Sequence, residues 1–301
     1  MDTRELLKTI RQLEIATRKA VRSQLAGGYH SVFKGRGMVV SDLRPYQLGD
    51  DWRAVNWNVT ARTGELYVKE FIEERELIVM LLVDISASQN FATRGLSKRE
   101  LAAKLAALIA FSAIRNRDKV GLCLYSDEVE LYLPPKKGRP HGLHLIREVL
   151  GHQAKNTGSR LDKALQFVAR VVHGHTVAFV VSDFLDPPKH QQALERALRV
   201  AAIRHDLVAI EVSDPFEREL PKVGLLQVRD VENGRMLTLD SDDANLRRAY
   251  AQQQEQRLQQ NRERLARLGI DHLFVSTDAD PVVPLVKFFA RRQSRAGKGA
   301  A

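Results

Sequence analysis

The chain has a single cysteine, Cys123, which excludes an internal disulfide framework and, set in the apolar run Val120 to Tyr125, reads as a packing residue. No apolar stretch approaches the roughly 18 residues that a membrane-crossing helix needs. The N-terminus, Met1 to Ala20, is charged and helical in pattern and lacks the apolar core of a signal peptide. These absences point to a reducing, cytoplasmic compartment. Aromatic residues are scarce, at 6%, and both tryptophans fall close together, at Trp52 and Trp57. Acids are scarce at the two ends. No Asp or Glu follows Asp280, whereas Lys287, Arg291, Arg292, Arg295 and Lys298 do, and the N-terminal stretch is rich in Arg and Lys from Arg4 to Arg36. The formal net charge of +10 raises nucleic acid or a membrane surface as partners. A single-strand-binding surface interleaves cations with aromatic platforms, so nucleic acid is not expected here, and the basic ends read as solvated or partner-touching segments.

Catalytic signatures are missing as well. There is no Gly-x-x-x-x-Gly-Lys-Ser/Thr loop, no His-Glu-x-x-His and no Gly-x-Ser-x-Gly. His141, His144 and His152 lie near one another, but no acid or cysteine completes a zinc set, and they read as surface or packing residues. What is present is an ordinary globular composition, 44% hydrophobic and 28% charged, in 301 residues, enough for one large domain with a smaller appendage.

Residues 1–28 read as an N-terminal helix, with Leu6, Leu7, Ile10, Leu13 and Ala16 at helical spacing and Gly27-Gly28 as its stop. Residues 29–76 read as a β-rich lead-in of short strands and turns. Its charged residues, Arg44, Asp50, Asp51, Arg53 and Arg62, and its tryptophans read as an internal salt-bridge and aromatic plug that docks it on the main sheet. From 77 to 291, apolar strands alternate with helices: strands at 77–83, 119–125, 176–181, 206–212 and 272–275, with helices between. The Ser97 to Glu100 spacing predicts a capping box at the start of one helix. A hairpin over 225–240 turns at Asn233-Gly234, and 292–301 is a basic tail. Continuous Val/Ile/Leu strands separated by helices imply a doubly wound, mainly parallel α/β sheet with helices on both faces.

Such sheets bind ligands beyond the carboxyl ends of their strands. Two acids stand there. Asp84-Ile85-Ser86-Ala87-Ser88 follows the strand Leu77 to Val83, and Ser182-Asp183 follows the strand Thr176 to Val181. A carboxylate and two hydroxyls at alternate positions bring three oxygens to one spot, and hard cations such as Mg2+ take oxygen ligands. A turn-forming role for Asp84, Ser86 and Ser88 without metal stands beside that reading. Ser159, which opens the helix that begins Arg160-Leu161-Asp162, is either a helix cap or a further oxygen donor, with Thr157 as the alternative hydroxyl.

The Asp-x-Ser-x-Ser loop, the hydroxyl before Leu161-x-x-Ala164-Leu165 and the Ser182-Asp183 strand end resemble the metal-ion-dependent adhesion site of von Willebrand factor A domains. The segment Arg44-Pro45-Tyr46-Gln47-Leu48-Gly49-Asp50-Asp51-Trp52-Arg53-Ala54-Val55-Asn56-Trp57, continued by Thr60-Ala61-Arg62 and Val68-Lys69-Glu70-Phe71, resembles the signature of the bacterial domain of unknown function 58 family, which couples such a lead-in to a von Willebrand A-like domain. The resemblance covers about residues 30–290. It implies a non-enzymatic, metal-dependent protein–protein interaction module, an adaptor or co-chaperone of a MoxR-type AAA+ ATPase or its client. Its Mg2+ or Mn2+ ion would be held by Asp84, Ser86, Ser88, Ser159 and Asp183 and would bind an acidic group of the partner. The loop hydroxyl departs from the family's usual threonine, since alignment on Leu161 and Ala164-Leu165 puts Ser159 there. The competing class is a Mg2+-dependent hydrolase of phosphoesters. Against it, an aspartyl-phosphate enzyme would want an acid where the chain has Ser86, and a two-metal nuclease would want more carboxylates than Asp84 and Asp183.

Overall fold

The computed structural model describes residues 3–21, 29, 38–47, 49–73, 77–93, 95–174, 176–229 and 236–298. The chain divides into two compact units, Phe33–Leu77 on one hand and Met1–Val32 with Ile78–Ala301 on the other.

The chain begins with α1 (Thr3–Ala20), which belongs to the large unit. The small unit is an antiparallel pair, β1 (Met38–Pro45) and β2 (Tyr67–Glu73), with α2 (Trp57–Thr63) between them. It is thus less β-rich than its sequence suggested, since residues 57–63 are helical. Gly64 ends α2 at φ +77°, a left-handed cap that a side chain would strain. The expected ion pair is present: both guanidinium nitrogens of Arg44 donate to Asp50, at 2.7 Å each, and with the Gln47 N–H they hold that carboxyl below its usual range. Asp51 caps the turn at Trp52–Ala54 by accepting from the Arg53 N–H. Trp52 is 67% exposed, with the Arg53 guanidinium 5.6 Å from its ring, and Trp57 is 61% exposed.

The large unit is built on a six-stranded sheet. Its elements in order are β3 (Ile78–Asp84), α3 (Lys98–Arg115), β4 (Lys119–Tyr125), β5 (Val129–Lys136), α4 (Arg139–Gly151), α5 (Leu161–Val171), β6 (Thr176–Ser182), α6 (Gln191–Arg204), β7 (Asp206–Ser213) and the single turn α7 (Pro215–Arg218). There follow the hairpin β8 (Leu225–Arg229) and β9 (Met236–Asp240), then α8 (Ala244–Arg267), β10 (Asp271–Ser276) and α9 (Val282–Lys298). The Asn233-Gly234 turn lies outside the described residues. The sheet order is β10-β7-β6-β3-β4-β5, and every pair is parallel except β4 with β5. This is the doubly wound, mainly parallel arrangement that the alternating apolar runs imply.

Burial explains the composition of these elements. All of β6, and β3 and β4 beyond their first residue, are buried, as strands covered on both faces must be. On one face, Met80, Leu82, Ala178, Val180 and Ala209 pack against Leu161 and Leu165 of α5, Leu194 and Leu198 of α6, and Leu265 of α8. On the other lies α3, whose alanines leave it almost without an amphipathic stripe. It is buried nearly all round, because α1 and α4 cover the side turned away from the sheet. Its predicted capping box is present, with Ser97 Oγ accepting from the Glu100 N–H and Glu100 accepting from the Ser97 N–H. Arg139 of α4 pairs with the buried Glu14 of α1 at 2.5 Å. The last helix, α9, runs on through the basic segment to Lys298, and Arg292 pairs there with Asp206 and Asp271 at 2.7 and 3.1 Å.

Strands β3, β4 and β5 step outward in one direction, while β6, β7 and β10 step outward in the other. The order therefore reverses between β3 and β6, and at such a switch point the two following loops diverge and leave a crevice beyond the carboxyl ends. Asp84 ends β3 and Asp183 follows β6, so the two acids stand on either side of it.

Candidate functional site

Asp84 is fully buried at the last position of β3, paired in register with Tyr125 of β4. Its two oxygens have separate tasks. Oδ1 accepts the Ser86 N–H at 2.8 Å, closing the turn that the Asp-x-Ser pattern favours. Oδ2 accepts two hydroxyls, Ser159 Oγ at 2.7 Å and Ser182 Oγ at 3.0 Å. The turn reading and the converging-oxygen reading are thus both satisfied by one side chain. Burial and the nearby Asp183 push the Asp84 carboxyl up to about 6, and the hydroxyls of Ser86 and Ser159 pull against that rise.

The loop after β3 is held from the opposite wall. The Ala87 N–H donates to the Thr157 backbone carbonyl at 3.0 Å, so Thr157 fixes the loop by its main chain while its side chain is exposed. The hydroxyl that reaches Asp84 belongs to Ser159. Ser86 Oγ and Ser88 Oγ are 3.2 Å apart, and Ser88 Oγ donates to Asp183 Oδ2 at 2.8 Å. The structure therefore brings together all five sequence-selected residues, Asp84, Ser86, Ser88, Ser159 and Asp183. Beyond Asp183 the chain turns through Phe184 at φ +51°, a left-handed conformation uncommon for a bulky residue. The Phe184 N–H donates to Ser182 Oγ, and the ring is buried in the core, which keeps the turn in place.

Two residues escaped the sequence reading. Lys98, at the first turn of α3, is fully buried. Its ammonium lies 2.8 Å from Asp183 Oδ2 and 2.5 Å from Glu217 Oε1 of α7. Burial alone would depress that ammonium, but the two carboxylates outweigh it and hold it above the ordinary lysine range. A lysine directly after a helix cap carries no local sign of burial; only the fold places it under the β6 and β7 loops. The second is Asp186, which burial and the neighbouring Asp84 push up to about 7. Its signal was its place three residues after Asp183 in the same loop. Next to this site, Asp214 at the end of β7 accepts from the Thr93 N–H at 3.1 Å and from Thr277 Oγ1 at 3.1 Å, joining the β3 loop to the ends of β7 and β10.

Among the described residues no cluster of three or more His, Cys, Asp and Glu side chains has metal-site spacing. A cation at this edge would take most of its protein ligands from hydroxyls. Octahedral ligands at roughly 2.0–2.1 Å stand roughly 2.9 Å from their neighbours. The Ser86–Ser88, Ser88–Asp183 and Asp84–Ser159 oxygens are hydrogen-bonded at 3.2, 2.8 and 2.7 Å, separations that an octahedral ion could share without large movement of the side chains. The donors are all oxygen, and the carboxylates of Asp84, Asp183, Asp186 and Glu217 outnumber the Lys98 ammonium, so the set fits a hard dication. The Gln89 amide, buried here, has no hydrogen-bond partner among the described residues, which leaves a polar group over for water or a ligand. The histidines are engaged separately: His141 meets the Val120 carbonyl, His152 meets Glu130, and His144 is exposed beside Glu148. Cys123 is buried, and its thiol is pushed up to about 12 by that burial, which makes it unreactive.

The family described as "Protein of unknown function DUF58" matches over residues 42–260, and the chain belongs to that family. The uncharacterized protein Rv1480 of Mycobacterium tuberculosis is 32% identical over 99% of this chain and 93% of its own length. The uncharacterized protein YeaD of Bacillus subtilis is 28% identical over 40% of this chain and 28% of its own length. Among solved structures, the conserved hypothetical protein BatB from Bacteroides thetaiotaomicron overlaps 74% of this chain and 99% of its own, at 17% identity and a TM-score of 0.48. The VWA domain of SpRpn10 overlaps 71% and 95%, at 11% identity and a TM-score of 0.39. Neither relative is named for an enzymatic activity.

Proposed function

We propose that the chain is a protein-binding module whose docking point is the hydroxyl-lined edge between β3 and β6, and that it recognises an acidic side chain through a Mg2+ or Mn2+ ion. The observation that supports this best is the convergence of Asp84, Ser86, Ser88, Ser159 and Asp183 at the switch point, joined by hydrogen bonds between their oxygens. When bound, the ion would supply an open coordination position for a carboxylate oxygen of the partner. The protein's own groups prepare that edge. Ser159 and Ser182 orient Asp84 Oδ2, and the Thr157 carbonyl fixes the loop that carries Ser86 and Ser88. Lys98 holds Asp183 from beneath and joins it to Glu217, so the outer wall of the site is tethered to α7. The partner in this reading is a MoxR-type AAA+ ATPase or its client, with the chain as adaptor or co-chaperone in the cytoplasm.

Capture of the ATPase by the purified protein tests this directly. It is expected in Mg2+ and lost on addition of EDTA or in Asp84→Ala; capture unchanged by both would refute metal-mediated recognition. A Mg2+-dependent phosphoester hydrolase is the second reading, favoured by Asp186, which adds a third carboxylate near Asp84 and Asp183. It gains ground only if turnover of a phosphoester by the purified protein disappears in Asp84→Ala.

A further inference from the structure

The other end of the sheet carries a second surface, independent of the metal reading. Among the described residues β10 pairs with β7 alone and is the terminal strand. His272, Leu273 and Phe274 all line one groove of roughly 430 Å³. Successive strand residues point to opposite faces, so a groove that meets three in a row runs along the strand's free edge. Its walls are α8 and α9. From α8 comes Arg262, and from α9 come Lys287 and Arg291, all exposed and, among the described residues, without an ion-pair partner. The Arg218 guanidinium stands 5.3 Å from the Phe274 ring centre and 3.8 Å from Glu255, the single carboxylate among the lining residues. Leu258 and Val283 give the walls apolar surface.

Open sheet edges are ordinarily blunted by charge on the edge itself or covered by another element. Here the two helices flank the edge and leave a cationic trough over it. We propose that this trough docks an extended acidic segment of a partner protein, which adds to β10 as a further strand and sets its carboxylates against Arg262, Lys287 and Arg291. An edge strand presents backbone donors and acceptors at the repeat of another extended chain, and alternate side chains of that chain would meet the walls. The excess of cations selects the sign of those side chains. Nucleic acid fits less well, because Arg218 already stacks against Phe274 and the His272 ring is held by Glu211, which leaves no free platform for a base.

A fluorescein-labelled octapeptide of alternating Glu and Val, with a Lys-Val octapeptide and an oligothymidylate as comparisons, tests this on the full-length chain. Saturable binding of the Glu-Val peptide is expected, weakened about tenfold by Arg262→Glu with Lys287→Glu. The Lys-Val peptide should not bind. Both substituted side chains are exposed and have no ion-pair partner among the described residues, so unchanged circular dichroism and thermal unfolding will show that the fold survives. Hydrogen exchange at the backbone amides of residues 272–274 should slow on binding, which loose electrostatic adherence would not cause. No saturable binding, binding indifferent to the charge reversals, or β10 amides left unprotected would each overturn the proposal. So would tighter binding of the oligothymidylate that depends on the same two cations.

Discussion

Lys98 shows how much one side chain can carry at this site. It is a fully buried cation held between Asp183 and Glu217, and removing one partner of a buried pair leaves the others uncompensated in a poorly solvated place. Lys98→Met is therefore expected to destabilise the large unit by about 3 kcal/mol, the lower part of the range for broken buried pairs. Urea unfolding checks it, and a loss under about 1 kcal/mol would mean that the ammonium was not the compensating charge. The two candidate loop hydroxyls separate just as sharply. Ser159 Oγ donates to Asp84, whereas Thr157 contributes its backbone carbonyl to Ala87. The rise in unfolding temperature on adding Mg2+ should vanish in Ser159→Ala, persist in Thr157→Ala and return in Ser159→Thr. Equal responses in the two alanine variants would remove Ser159 from the ligand set.

At the level of elements, the loop between α4 and α5 has its own anchor, which serves the site from a distance. Glu130 of β5, almost fully buried, accepts from Ser126, from the Lys155 and Asn156 N–H groups and shares a hydrogen bond with His152. Burial alone would raise this carboxyl, but those bonds outweigh it and hold it below the ordinary glutamate range. The sign follows. The folded state binds a proton at Glu130 less readily than the unfolded state, so its stabilisation is present above the unfolded value near 4.5 and is lost as the pH falls through the lowered folded value. Glu130→Gln should flatten the acid limb of the stability–pH curve below about pH 4.5. A limb that keeps its slope in the variant would place the acid sensitivity elsewhere. The same anchor holds the backbone of Lys155 and Asn156, a few residues before Ser159, so the variant should also weaken the response to Mg2+.

For the whole molecule, the proposed ion acts as a ligand of the folded state alone. At about 100 times its dissociation constant such a ligand adds about 2.7 kcal/mol to the unfolding free energy. Saturating Mg2+ should thus raise the transition of the large unit by several degrees, EDTA should reverse the rise, and Asp84→Asn should abolish it. An unchanged transition would count against an ion at this edge. Charge is arranged in keeping with the two docking proposals. The edge between β3 and β6 gathers buried carboxylates, and the far edge at β10 gathers exposed cations.

The sequence by itself determined the strand and helix succession, because runs such as Ile78–Asp84 and Thr176–Ser182 must be covered on both faces and caps such as Ser97 act locally. It also picked out Asp84, Ser86, Ser88 and Asp183, which announce themselves as polar residues at or just past the ends of buried strands and which the structure brings near one another. The fifth was open between Ser159 and Thr157, and only the path of the chain decided which hydroxyl turned inward. The same holds for Lys98, whose partners are 85 and 119 residues away in sequence, and for the trough on β10, whose walls come from two helices. In the small unit, local pattern misled: residues 57–63 read as strands and turns but form a helix that ends at Gly64. Strand, cap and turn preferences act over a few residues and can be read in order along the chain. Which distant charges face one another depends on how the strands are ordered, and that is set by burial of the whole sheet rather than by any one segment.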